Sequence, residues 1–270
     1  MRADVNGTGI EFDVTGAGRP AVLLHGFPDS GRLWRHQVPA LAAAGFQVIV
    51  PDLRGYGRSD KPADVESYAI PYLAGDVAGI LDQLGIERAH VVGHDWGAAL
   101  AWVLGSLLPD RVDHLVALSV GHPASFATAG LRQREKSWYM LLFQFEGVAE
   151  QWLSDDDWAN FRSWARHPDA DQVIAELEAN GSLTPGLNYY RANIPPQSLV
   201  APPAALPPVQ APTMGVWSDG DIALTEVQMT SSQAHVTGPW RYERISGAGH
   251  WMQLEAPGAV NELLTDFLPC

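Results

Sequence analysis

At 270 residues the chain is long enough to bury a full α/β core and to carry one inserted module. A formal charge of −14 excludes the positive face that nucleic acid or an anionic membrane surface requires, which leaves small neutral molecules as the expected partners. The single cysteine, Cys270, excludes a disulfide framework and a thiolate metal site, and no run reaches the roughly 18 apolar residues of a membrane-spanning helix.

Residues 1–20 are polar and glycine-rich, without the apolar core of a signal peptide, so a soluble cytoplasmic protein is expected. Thr8 to Val14 alternates like a half-exposed edge strand. Ala21 to Leu24 is a short apolar run of the kind a buried parallel strand shows, and it ends in His25-Gly26-Phe27-Pro28. Gln47 to Val50 is a further buried strand, followed by a loop in which Asp52 and Arg54 are expected to pair and order the chain. Tyr72 to Leu84 has helical spacing, with Leu73, Val77, Ile80, Leu81 and Leu84 on one face.

His90 to Leu100 (HVVGHDWGAAL) reads as the end of a strand, one sharp turn and a helix that continues toward Leu108. Gly93 and Gly97 flank Asp95 in the pattern G-x-D-x-G, a nucleophile elbow with aspartate where serine is usual. Taken alone, the pattern is equally an aspartate N-cap after a glycine turn. In an elbow, backbone N–H groups would converge on the nucleophile, and those of Phe27 and Trp96 are the expected two-donor oxyanion hole.

His114 to Val120 is another strand. From Ser125 to Ile194 no strand is evident; helical stretches carry a dense set of aromatics, of which Trp138, Phe143, Phe145 and Trp164 are expected to form a largely apolar pocket. Seven prolines between Pro195 and Pro212 then read as an extended return linker. The core resumes with a strand at Thr213 to Ser218, a helix at Leu224 to His235, a strand at Arg241 to Ile245 and a closing helix at Ala259 to Leu268. The expected organisation is a mostly parallel α/β sheet flanked by helices: core over 1–124, inserted helical cap over 125–205, and core over 206–270.

Loops after two of these strands supply partners for Asp95. His250, in GAGHW, is the candidate base, and Asp221 the candidate acid, preferred over Asp219 because Asp219 stands at the strand end where it would cap a turn. His94 is expected to be a packed structural histidine, and the remaining histidines show no metal-ligand spacing, so no metal and no cofactor is assigned. An aspartate attacking an ester would give an anhydride, which is uphill. Attack on an sp³ carbon bearing a leaving group gives an alkyl ester that histidine-activated water can hydrolyse, so an epoxide or alkyl halide is the expected substrate.

The segments HGFP (25–28), RGYGRSDKP (54–62), GHDWG (93–97), WYMLLFQFEGVAE (138–150), NYYR (188–191) and GAGHW (247–251) resemble the soluble epoxide hydrolase branch of the α/β-hydrolase fold, over about residues 8–268. The resemblance implies that Tyr139 and Tyr190 bind and protonate the epoxide oxygen, that Phe27–Pro28 is often cis, and that a small apolar epoxide and water are the reactants. Haloalkane dehalogenases share the aspartate and the following tryptophan but commonly carry asparagine where Phe27 stands. Fluoroacetate dehalogenases commonly carry arginine where Trp96 stands. A non-catalytic binding protein on this fold would be expected to have lost a catalytic position, and Asp95, Asp221 and His250 are all present. Oligomeric state, a homodimer included, is left open.

Overall fold

Eight short strands rich in β-branched and apolar residues form one sheet in the order β1-β2-β4-β3-β5-β6-β7-β8. They are β1 (Arg2–Val5), β2 (Thr8–Thr15), β3 (Arg19–Leu24), β4 (Phe46–Pro51), β5 (Ala89–His94), β6 (Val112–Leu118), β7 (Thr213–Ser218) and β8 (Trp240–Ile245). This computed structural model describes residues 1–202 and 205–270. β1 and β2 run antiparallel to their neighbours, and β4, β3, β5, β6, β7 and β8 are mutually parallel.

The central strands β3 and β5 are buried from Ala21 to Leu24 and from Ala89 to His94, as continuous apolar runs covered on both faces must be. β2 is not the edge expected for it. β1, whose four residues alternate exposed and buried, lies outside it and takes the edge.

Helices α1 (Gln37–Ala43), α2 (Ile70–Gln83) and α3 (Trp96–Leu107) alternate with the strands, and α2 buries Leu73, Val77, Ile80 and Leu81 along one stripe. α3 is buried along most of its length, its alanines and glycines letting it lie close on β5 and β6. Between β6 and β7 the chain leaves the sheet for α4 (Pro123–Thr128), α5 (Leu131–Lys136), α6 (Tyr139–Leu142), α7 (Val148–Ala165), α8 (Ala170–Asn180) and α9 (Leu183–Asn193). α7 is broken at Asp155–Trp158, where Asp156, Asp157 and Trp158 take positive φ.

The proline-rich return is not wholly extended: Pro196–Leu199 makes a 3₁₀ turn, and Val209 bridges to Val236. Residues 203 and 204 of the expected linker lie outside the described residues. The core closes with α10 (Glu226–Thr230), α11 (Met252–Glu255) and α12 (Pro257–Phe267). Among the described residues no helix is long and apolar enough to cross a membrane.

Candidate active site

β5 ends at His94 and α3 begins at Trp96, so Asp95 alone must reverse the chain. It does so at φ 53°, ψ −121°, a conformation that costs a side-chain-bearing residue roughly 1–3 kcal/mol and persists only where the surroundings enforce it. The neighbours leave no choice: a Cβ on Gly93 would strike the Gly97 carbonyl, and a Cβ on Gly97 would strike the Leu24 carbonyl. A Cβ on Gly26 would strike Asp95 itself, which is why the loop after β3 can come close enough to touch the carboxylate.

That contact is a hydrogen bond of 2.9 Å from the Phe27 N–H to Asp95 Oδ1. Trp96 stands at the first position of α3, where its N–H has no carbonyl within the helix to receive it. The Phe27–Pro28 bond is cis. His25 orders the same loop, accepting from the Leu53 N–H through Nε2 at 2.9 Å and placing Nδ1 3.0 Å from the Gly26 carbonyl.

On the other side of Asp95, His250 Nε2 lies 3.7 Å from Oδ2, too far for a direct hydrogen bond. Its Nδ1 is 3.0 Å from Asp221 Oδ2. Asp221 is fixed in turn, because Oδ1 accepts from the N–H groups of Ala223 (2.8 Å) and Leu224 (2.9 Å). Asp219 instead accepts from the Gly247 N–H at 2.8 Å and does not meet His250. Burial alone would depress the His250 pKa, but the Asp221 and Asp95 carboxylates outweigh it and raise the value to about 10. The Asp221 carboxyl is held below its ordinary pKa although burial opposes this, by the His250 charge and by hydrogen bonds from His250 and the two backbone N–H groups.

A cavity of about 530 Å³ opens above Asp95 and His250, and Phe27, Tyr139, Trp164 and Tyr190 are among its walls. Burial, and after it the Asp95 charge, pushes both tyrosine pKa values well above the ordinary 10, so both phenols stay protonated at neutral pH. The adjacent Tyr189 faces elsewhere and donates its hydroxyl to the Arg54 carbonyl at 2.7 Å.

Residues 20–257 match the family model of the alpha/beta hydrolase fold. Epoxide hydrolase A of Mycobacterium tuberculosis is 34% identical, over 98% of this chain and 96% of its own length. The chain belongs to the epoxide hydrolase family of the α/β-hydrolase fold. An epoxide hydrolase of Caballeronia sordidicola is 35% identical over 98% of this chain and 92% of that protein. Among solved structures, epoxide hydrolase A from Mycobacterium thermoresistibile superposes with a TM-score of 0.83 at 33% identity, covering 99% of this chain and 97% of that one. The Bacillus megaterium epoxide hydrolase in complex with an inhibitor gives 0.90 at 28%, covering 99% of each chain.

Within this epoxide hydrolase scaffold the sequence-derived pocket residues separate. Trp138 and Trp164 line the cavity, Trp138 at its exposed rim. Phe143 does not; it is fully buried behind the wall, packed against the rings of Phe27, Tyr139, Trp164 and Tyr190 at 5.0–5.8 Å. Phe145 is 62% exposed and is not among the residues that line the cavity. The walls are also less apolar than expected, since Lys136, Asn160, Ser163 and Arg166 contribute to them. The expected Asp52–Arg54 pair does not form: Arg54 makes a buried bidentate pair with Asp76 (2.7 and 2.8 Å), and Asp52 receives Arg58 and the Gly31 N–H.

Several further residues, to which the sequence reading assigns no catalytic role, position the site. His94 Nε2 donates to the His250 carbonyl at 2.9 Å, and Ser119 Oγ donates to the same oxygen at 3.2 Å. Burial, with the His250 charge, lowers the His94 pKa to about 4, so His94 is neutral. Asp29, directly after HGFP, accepts from Trp251 Nε1 (2.8 Å) and His167 Nε2 (3.1 Å), tying the helical insertion to both site loops. Arg191 pairs with Glu150 (2.8 and 3.0 Å) and donates to the Phe143 carbonyl, joining α9 to α6 and α7.

Proposed function

We propose that the protein hydrolyses epoxides to vicinal diols through an ester formed on Asp95, with Tyr139 and Tyr190 as acids, His250 as base and the helical insertion as a cap over the reaction. The carrying observation is that a carboxylate on a strained turn and two protonated, buried phenols share one cavity.

The Phe27 N–H holds Asp95 Oδ1, which leaves Oδ2 to attack an epoxide carbon. The carbon–oxygen bond of the ring breaks, and the departing oxygen takes a proton from Tyr139 or Tyr190. Esterification removes the Asp95 charge, one of the two carboxylates that raise the His250 pKa. His250 therefore gives up its proton, which returns through solvent to the tyrosinate, and becomes a base only once there is an ester to hydrolyse.

Neutral His250 then takes a proton from water. The hydroxide adds to the Asp95 carboxyl carbon while the N–H groups of Phe27 and Trp96 hold the oxyanion. Collapse breaks the ester bond, the product alkoxide takes the proton of the new carboxylic acid, and the diol leaves with Asp95 ionised and His250 charged as at the start. The phenols favour an epoxide over an alkyl halide, because only the ring oxygen needs a proton, and the Phe27 side chain offers a halide no donor.

Intact-protein mass spectrometry of His250→Ala after exposure to 1,2-epoxyhexane and, separately, 1-bromohexane tests the reading. The expected result is an adduct equal to the whole epoxide, mapped to Asp95. An alkyl adduct from the bromide with none from the epoxide would assign the protein to dehalogenation, and an epoxide adduct at another residue would remove Asp95 from its role.

A further inference from the structure

The amino-terminal end of the parallel strands, opposite the edge that carries Asp95, gathers a second set of chemically capable side chains. The spacing of the histidines in the sequence points to no metal group, but the fold creates one. Between Ala89 and Val91 the register of β5 against β6 slips by a residue, so Asp113 and His114 together face His90. Such a bulge re-aims side chains that an unbroken strand would send to opposite faces. One ligand atom from each of His90, Asp113 and His114 lies within 4.8 Å of the other two.

Hydrogen bonding fixes the imidazole of His90. It is 1% exposed, and its Nε2 lies 3.1 Å from the Pro269 carbonyl, an arrangement that is favourable only with the proton on Nε2. Nδ1 therefore points its lone pair at the cluster, where it has no hydrogen-bond partner; the buried Nδ1 of His114 has none either. Asp113 Oδ2 is 3.9 Å from His90 Nδ1. Buried polar atoms in native proteins are ordinarily partnered, so two ring nitrogens without a hydrogen bond, in residues grouped with a carboxylate, have lone pairs available to a cation.

We infer that His90, Asp113 and His114 bind a divalent transition-metal ion of the zinc type, which ties β5 to β6 and, through His90, to the chain at Pro269. Two imidazoles and one carboxylate are a donor set such ions accept, with water completing the shell, and the His90 hydrogen bond to a carbonyl is the outer contact that orients a ligating histidine. Bonds of about 2 Å bring tetrahedral ligand atoms to about 3.3 Å apart, so the cluster must tighten. Asp113 and His114 are only partly buried, so the tightening falls to them rather than to the enclosed His90.

Two competitors face the carboxylate: Arg19 Nη1 at 3.4 Å from Asp113 Oδ2, and Arg88 Nη2 at 3.9 Å from Oδ1. Both side chains are about half exposed and can turn to solvent. A metal ion must displace them, which makes Arg19 a lever on affinity.

The test is calorimetric titration of the metal-stripped full chain with zinc chloride, repeated with cobalt to read the visible bands of four-coordinate Co²⁺. One equivalent is expected in the parent. Affinity should fall by at least about tenfold in His114→Gln, which preserves the buried His90, and should rise in Arg19→Gln. Zinc should raise the melting temperature of the parent and not of His114→Gln, and His250→Ala should keep the equivalent. No bound equivalent, equal affinity in His114→Gln, or loss of binding in His250→Ala would each overturn the assignment, the last by moving the ion to the Asp95 cavity.

Discussion

The floor of the cavity comes from loops of the sheet and its catalytic candidates are tied by hydrogen bonds, whereas its roof comes from the helical insertion and its two tyrosines are packed among rings. On the floor, Asp95 is bound by the Phe27 N–H, Asp221 by two backbone N–H groups, and the His250 carbonyl by His94 and Ser119. In the roof, Tyr139 packs against Phe143 and Trp164 at 5.3 and 4.8 Å, and Tyr190 against Phe143 and Trp96 at 5.0 and 5.1 Å. Among the described residues no hydrogen bond from the Tyr139 hydroxyl to the protein is present. Directional bonds fix angles, whereas ring packing fixes position and leaves the Tyr139 hydroxyl without a protein partner.

If floor and roof serve successive steps, damage to each should stop the reaction at a different point. The largest effect is expected on the floor. His250→Ala should lower steady-state turnover by at least about 10⁴-fold while the ester still forms and accumulates. Pre-steady-state quenching of Trp fluorescence, read beside the mass of the adduct, separates the two steps. Next comes the roof: Tyr139→Phe with Tyr190→Phe together should slow ester formation by roughly 10²–10⁴-fold and leave hydrolysis of a preformed ester unchanged. Equal slowing of both steps would erase the distinction between the two regions.

This division also governs what the sequence disclosed. Floor residues stand in short motifs at strand ends, where G-x-D-x-G and GAGHW announce a turn and a side chain at the same time. The central strands were legible too, since a strand buried on both faces is a continuous apolar run. β1 was not, because four residues reading RADV carry no apolar run, and that strand exists through its pairing with β2. Composition could not sort the roof aromatics. Phe143 and Phe145 differ by two positions along a short helical turn, and only the packing of α6 against α9 makes one a buried hub and the other a surface ring. The Arg54–Asp76 and Arg191–Glu150 pairs, and the His90 cluster, each join segments far apart in sequence, so no local spacing encodes them.

A largely buried ion pair within the roof sharpens the comparison further. Arg191 and Glu150 have side chains 6% and 16% exposed, and removing one member leaves the other charge buried without its partner. Arg191→Met should cost about 3 kcal/mol, visible as a fall in melting temperature, with reaction loss dominated by ester formation. Phe143→Ala should cost a similar amount, about 3–5 kcal/mol, because it removes the ring against which both tyrosines rest. Phe145→Ser should change stability by no more than about 0.5 kcal/mol and leave KM unaltered. A raised KM in Phe145→Ser would return that residue to the pocket.

The last comparison concerns charge on the floor alone. His250 has its pKa raised to about 10 in the folded protein, against about 6.5 for an unperturbed imidazole, burial being outweighed by Asp221 and Asp95. The stability that this charge contributes is complete below pH 6.5, where the unfolded chain is protonated as well, and is lost as pH rises through 10. The stability difference between the parent and His250→Gln, followed by urea unfolding, should therefore shrink steadily from pH 6.5 to 10. Alkylation provides the complementary measurement. Because the ester carries no charge, the His250 pKa should drop below its resting value, and the single-turnover rate of ester hydrolysis should rise with pH and level off below pH 10. A rate still climbing at pH 10 would mean that Asp221 alone holds the imidazolium, and that the floor does not sense whether the nucleophile has reacted.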